Sequence, residues 1–137
     1  MTKITVKAIV HAPIDKVWTF WNEPQHVKHW NFASPDWHSP SGQNDLRTGG
    51  KFSFRMEAKD GSAGFDFGGT YELVKKHELI VYRMGDGRRV HVSFKAQGNE
   101  TEIVETFDSE PTHTLEQQQS GWQSILNNFK KYAESKK

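Results

Sequence analysis

The chain has 137 residues, no cysteine, 18 Lys and Arg against 17 Asp and Glu, and a net charge of +1. That length predicts one domain spanning 1–137. The even charge balance argues against a nucleic-acid surface, the missing cysteine excludes disulfides and thiolate chemistry, and no apolar run approaches the ~18 residues of a membrane span.

Hydrophobic residues make up only 34%, with 17 Phe, Trp and Tyr. Leu, Ile and Val together number 20, so the core must lean on bulky rings that are hard to pack without gaps. The first element is a strand over residues 4–10, where Ile4, Val6, Ala8 and Val10 alternate onto one face. The chain enters it without the basic and apolar stretches of a secretory signal, so a cytoplasmic location is expected. Pro13 suits a first helical position, Asp15 favours the first turn, and Ile14, Val17, Trp18 and Trp21 follow at helical spacing. Asn22-Glu23-Pro24 breaks this helix. A second short helix over 24–30 buries Val27 and Trp30. Residues 31–50 read as an ordered loop, with a short strand at 37–39, long enough to suggest a function.

From Gly49 the chain becomes a meander. Phe52, Phe54 and Met56 alternate with polar residues, and the Asp60-Gly61 turn pairs Met56 with Phe65, Arg55 with Asp66 and Phe54 with Phe67. The next strand runs through 71–74, and 75–78 turns into a strand over 79–83. Centring a second hairpin on Asp86-Gly87 pairs Arg83 with Val90, Val81 with Val92 and Leu79 with Phe94. A third turn at 97–100 pairs Phe94 with Ile103 and Val92 with Glu105. Pro111 ends the meander. A long helix over 114–134 then carries the stripe Leu115, Trp122, Ile125, Leu126, Phe129 and Ala133, with Gln118 and Gln119 among the apolar positions. The predicted fold is α+β: a strand, two short helices, about six antiparallel strands and a long C-terminal helix. That helix covers the apolar face of a curved sheet. An internal cavity remains between sheet and helix, beneath residues 31–50.

This order resembles the START-like helix-grip superfamily, also called SRPBCC. Within it, the chain is similar to the C-terminal domain of the activator of the ninety-kilodalton heat-shock protein ATPase and its bacterial stand-alone homologues. The matching pieces are Ala12-Pro13-Ile14-Asp15-Lys16-Val17-Trp18, Trp30, Gly49-Gly50-Lys51-Phe52, Asp60-Gly61, Gly69-Thr70-Tyr71-Glu72-Leu73 and Gly121-Trp122-Gln123-Ser124-Ile125-Leu126-Asn127-Asn128-Phe129. Their order covers nearly the whole chain. The superfamily hosts carriers, cyclases, hydrolases and chaperone-linked domains on one scaffold, and its bacterial members are often grouped as polyketide cyclase-like. The resemblance therefore implies a helix-grip cavity and allows a chaperone partner. The eukaryotic co-chaperone carries a further N-terminal domain, whereas here the domain begins by residue 4, so full co-chaperone activity is not expected.

The residues expected around the cavity are Phe52, Phe54, Met56, Phe65 and Phe67 on the sheet, Trp30 and Trp37 at the mouth, and Trp122 on the helix. The alternative for each is plain core packing. Gly121 would let a strand or ligand approach the helix closely. Glu105 falls on the same face as Val90, Val92, Phe94 and Ile103. In the register above Arg83 falls there too, which predicts an Arg83–Glu105 pair able to hold a polar ligand group; the alternatives are a strand-end pair reaching water and a bulge that turns Glu105 out. Gln118 and Gln119 would orient a ligand or form a solvated helix margin. Glu105 and Glu72 are the candidate catalytic carboxylates, with the facing of Glu72 left open by the 75–78 turn.

His26 and His29 lie three apart, with Asp36 and His38 downstream, but without the tight spacing of a zinc site, so surface histidines and no metal are expected. Phosphate-cradling, dinucleotide and nucleophile-elbow motifs are missing, and no cofactor is expected. The function these residues predict is binding of a small, mostly apolar or aromatic molecule. A cyclase- or hydrolase-type enzyme on the same cavity is the alternative. A stress- or chaperone-linked interaction module is the third reading, by resemblance.

Overall fold

A computed structural model describes residues 2–136. The long strands are β1 (Lys3–Val10), β4 (Lys51–Ala58), β5 (Gly64–Lys75), β6 (Leu79–Met84), β7 (Arg89–Gln97) and β8 (Glu100–Asp108). Two short strands, β2 (Trp37–His38) and β3 (Gly42–Asn44), interrupt the loop predicted over 31–50 and both pair with β4. The antiparallel sheet runs β1-β8-β7-β6-β5-β4-β2, so the first strand closes onto the last.

Helix α1 (Ile14–Asn22) begins one residue later than expected, because Pro13 takes the extended N-cap conformation. Helix α2 (Pro24–Val27) is shorter than the predicted 24–30, and the chain turns tightly beyond it. Helix α3 (Leu115–Ser135) is the long cover. None of the helices is long and apolar enough to cross a membrane, among the described residues.

The first hairpin has the predicted register, with Phe54 opposite Phe67 and Met56 opposite Phe65. The second does not. Arg83 pairs with Arg89, Tyr82 with Val90 and Ile80 with Val92. The loop is three residues, Gly85-Asp86-Gly87, closed by Met84 N–H donating to the Arg88 carbonyl at 2.8 Å. Gly87 takes φ +93°, the left-handed position such a loop needs. An odd loop shifts the pairing by one residue, and a one-residue slip exchanges the faces. Ile80, Tyr82 and Met84 therefore point inward and Arg83 outward, which corrects the predicted pairing.

A bulge in β5 has a related effect. Tyr71 pairs with Tyr82 and Leu73 with Val81, leaving Glu72 as the extra residue. Tyr71 stays buried, Glu72 turns to solvent, and Val74 returns to pack against the core.

The core lies between α1, α3 and the sheet. Phe129 is fully buried, its ring 4.9 Å from both Trp21 and Trp30. Trp122 stacks on Phe107 at 3.9 Å. Leu115, expected on the apolar stripe, is 49% exposed because it opens the helix ahead of the buried face.

α3 also protects the free edge of β1. Gln119 and Gln123 donate to the carbonyls of Thr5 and Lys7 at 3.3 and 3.1 Å, and Lys130 donates to that of Ile9. Three alternate carbonyls of an otherwise unpaired strand edge are thereby satisfied. The helix starts in a capping box, in which Thr114 Oγ1 accepts from Gln117 N–H at 3.0 Å and Gln117 Oε1 accepts from Thr114 N–H at 3.0 Å. Thr114→Ala should cost about 1 kcal/mol, read as a lower urea midpoint at unchanged slope; a change within ±0.2 kcal/mol would contradict the cap.

Candidate ligand-binding cavity

The curved sheet and α3 enclose a cavity of about 530 Å³. Its sheet wall is aromatic because alternate residues of three neighbouring strands point the same way: Phe52, Phe54 and Met56 from β4, Phe65, Phe67 and Tyr71 from β5, and Ile80, Tyr82 and Met84 from β6. Phe52 is the hub, 4.9 Å from the Tyr82 ring and 5.1 Å from that of Tyr71. Trp21, Val27 and Trp30 close one end, and Gly121, Trp122 and Ile125 form the helical wall. Asn31, Ala33, Asn44, Glu110, His113 and Gln117 complete the lining.

A chain of amides fixes the β3 side. The Tyr71 hydroxyl donates to Asn44 Oδ1 at 2.6 Å, and Asn44 Nδ2 donates to the Asn22 carbonyl at 2.7 Å. Asn22 Nδ2 donates to the Trp18 carbonyl at 2.9 Å. The wall is thus tied to α1 by satisfied polar groups, and burial holds the Tyr71 phenol above its ordinary range.

Of the residues expected here from sequence, Trp30, Phe52, Phe54, Met56, Phe65, Phe67, Glu105, Gln118 and Trp122 line the cavity. Trp30 sits deeper than the mouth, buried with its Nε1 donating to the Phe20 carbonyl at 3.0 Å. Phe65 lies at the edge, 50% exposed. Trp37 packs beside Phe65 at 5.9 Å and does not line the cavity.

Gln118 is buried, but its amide is already used. Its Oε1 accepts from Glu110 N–H at 2.8 Å and its Nε2 donates to the Glu110 and His113 carbonyls, fastening the connection into α3. Gln119 faces the β1 edge instead of the cavity.

Arg83 and Glu72 require the larger correction. Both lie on the outer face, where Glu72 accepts from Arg83 Nη2 at 3.2 Å and from Arg89 Nε at 2.8 Å. The predicted Arg83–Glu105 pair therefore does not form, and Glu72 is no cavity acid. His26 and His29 both engage Tyr132, the first by a 2.6 Å hydrogen bond and the second by ring stacking, while His38 lies beside Glu57.

Sequence reasoning missed Trp21, Tyr71, Tyr82 and Arg88 as lining residues. Gly87 fits both a two-residue Asp86-Gly87 turn and the left-handed position of a three-residue loop, so the turn by itself does not place Tyr82.

Among the described residues Glu105 is the one strongly perturbed carboxyl. It is 6% exposed, faces the cavity, and burial alone pushes its pKa up to about 8. Neither its carboxyl nor the Tyr82 hydroxyl has a hydrogen-bond partner among the described residues. Arg88 lies on the same lining, its Nε donating to Asp86 Oδ2 at 2.8 Å.

A family model described as Activator of Hsp90 ATPase homolog 1-like protein matches residues 11–134. The solution NMR structure of an AHSA1-like protein from Aeromonas hydrophila is 47% identical, with 98% of this chain and 94% of that one covered and a TM-score of 0.92. A solution structure from Cytophaga hutchinsonii is 56% identical, with 98% and 93% covered and a TM-score of 0.84. A crystal structure of a Chromobacterium violaceum protein shares the fold at 19% identity, with 98% and 99% covered and a TM-score of 0.87. No curated protein matches the chain.

Proposed function

The chain belongs to the Activator of Hsp90 ATPase homolog 1-like family, and from that premise we propose that it binds a small, mostly apolar molecule between the sheet and α3. The supporting observation is the cavity itself: about 530 Å³, walled by aromatic rings with few polar groups, within the size range of small-molecule sites.

Gly121 provides the test. It lines the cavity, and a Cβ added there would meet no atom within 4 Å. Gly121→Phe should drive a ring into the empty space while gaining up to about 0.5 kcal/mol of helix propensity. Titration with 1-anilinonaphthalene-8-sulfonate should show fluorescence enhancement and a raised Tm for the wild type, both lost in Gly121→Phe. No enhancement with the wild type, or equal enhancement with the folded variant, would sink the reading.

Glu105 favours a second reading, turnover of a cyclase or hydrolase type on the same cavity. A carboxyl with its pKa near 8 stays protonated at neutral pH and is suited to general-acid work. Under this reading Glu105→Gln loses turnover, and product formation that survives the substitution would exclude it.

A further inference from the structure

The polar groups of the cavity are unevenly distributed. Most of the sheet wall is hydrocarbon, whereas Tyr82 on β6 and Glu105 on β8 both line the cavity from either side of β7, whose Val90 lies opposite Tyr82 and whose Val92 lies opposite Glu105. Both side chains are more than nine-tenths buried. Unpartnered, buried polar groups are costly and call for an explanation. Neither group is sealed in protein, since Ser39 Oγ alone is both enclosed and unpartnered among the described residues. Their free hydrogen-bonding capacity is therefore directed at the empty space.

The protonated Glu105 carboxyl and the Tyr82 phenol can each donate one O–H, and Arg88 has only donors. Tyr82 lies within electrostatic reach of both Glu105 and Arg88. The other titratable groups on the lining are engaged elsewhere: Tyr71 with Asn44, and Glu110 with His113 at 3.1 Å. A donor cluster on a mostly apolar wall calls for an acceptor. A ligand carboxylate fits poorly, since it would bring a second acid group against Glu105 while Asp86 already balances Arg88. A ligand amine would require the buried Glu105 to ionise. A carbonyl oxygen accepts two or three hydrogen bonds without adding charge.

Building on the cavity-binding reading above, we propose that Glu105, Tyr82 and Arg88 form a donor pole that selects apolar ligands carrying a carbonyl oxygen.

The test compares four probes with one ring system: naphthalene, 2-acetylnaphthalene, 2-naphthoate and 2-naphthylmethylamine, titrated by calorimetry or NMR at pH 7. The ketone should bind roughly tenfold tighter than naphthalene, the worth of one to two hydrogen bonds. That advantage should vanish in Tyr82→Phe and Glu105→Leu, neither of which opens a void. Equal binding of naphthalene and the ketone overturns the donor pole and leaves the cavity reading standing. Tightest binding by the amine or the naphthoate overturns it too, assigning an ionised Glu105 or a free Arg88. Failure of all four to bind brings down the cavity reading itself.

Discussion

Glu105→Gln should stabilise the protein by about 4 kcal/mol at pH 8.5 and by little at pH 4, a difference set by linkage between protonation and folding. The folded-state pKa is about 8 against an ordinary value of 4.5. Between these values the folded chain holds a proton that the unfolded chain has released. Stability from this group is thus fully present below about pH 4.5 and is lost as pH rises through 8. Glutamine keeps the shape and cannot ionise, so it removes the penalty. The pairs at Glu72, Asp86, Asp108, Glu110 and Glu134 act with the opposite sign, since their lowered pKa values favour the folded state until acid protonates them. Those groups sit in surface pairs, which contribute little, and they cancel when variant and wild type are compared. Urea melts of both proteins from pH 4 to pH 9 measure the effect. Parallel curves across that range would show that Glu105 reaches water.

Phe129→Ala should be the most damaging single substitution considered, at about 3–5 kcal/mol. The ring is fully buried, packs edge-to-face on both Trp21 and Trp30, which also contact each other, and lies outside the cavity lining. Its removal forfeits aromatic contacts and leaves a void that two indoles fixed on α1 and beside α2 cannot close. Against a typical total of about 5–15 kcal/mol, such a loss would leave the protein barely folded at 37 °C. Phe54→Ala makes the instructive comparison. Phe54 already has one face on empty space, so its loss should cost on the order of 2 kcal/mol, about half as much. Equal losses for the two would mean that the space beside Phe54 is filled.

The elements of the fold differ in how strongly local sequence marks them. β1, α1, the first and third hairpins and α3 were readable because each carries a local period or an unambiguous turn. Phe54 faces Phe67 and Glu105 faces inward as the pattern required. β3 was missed because Gly42-Gln43-Asn44 has no strand period of its own; β4 supplies the pairing. Gly42 fits there because a Cβ would lie 2.2 Å from the Phe54 ring.

Composition and periodicity by themselves determined the α+β architecture and the aromatic inner face, and placed Glu105 on that face without fixing its burial, because burial of alternate or helically spaced residues leaves its mark on local order. Tertiary structure alone decided what surrounds Glu105. One residue more or fewer in a turn exchanges the faces of a strand, and the choice between an even and an odd loop at Asp86 and the bulge at Glu72 were settled by packing across the sheet. Those two local choices put Tyr82 in the cavity and sent Arg83 and Glu72 to water. The high share of aromatic residues implied an incompletely filled core; only the folded sheet gave that space a polar end.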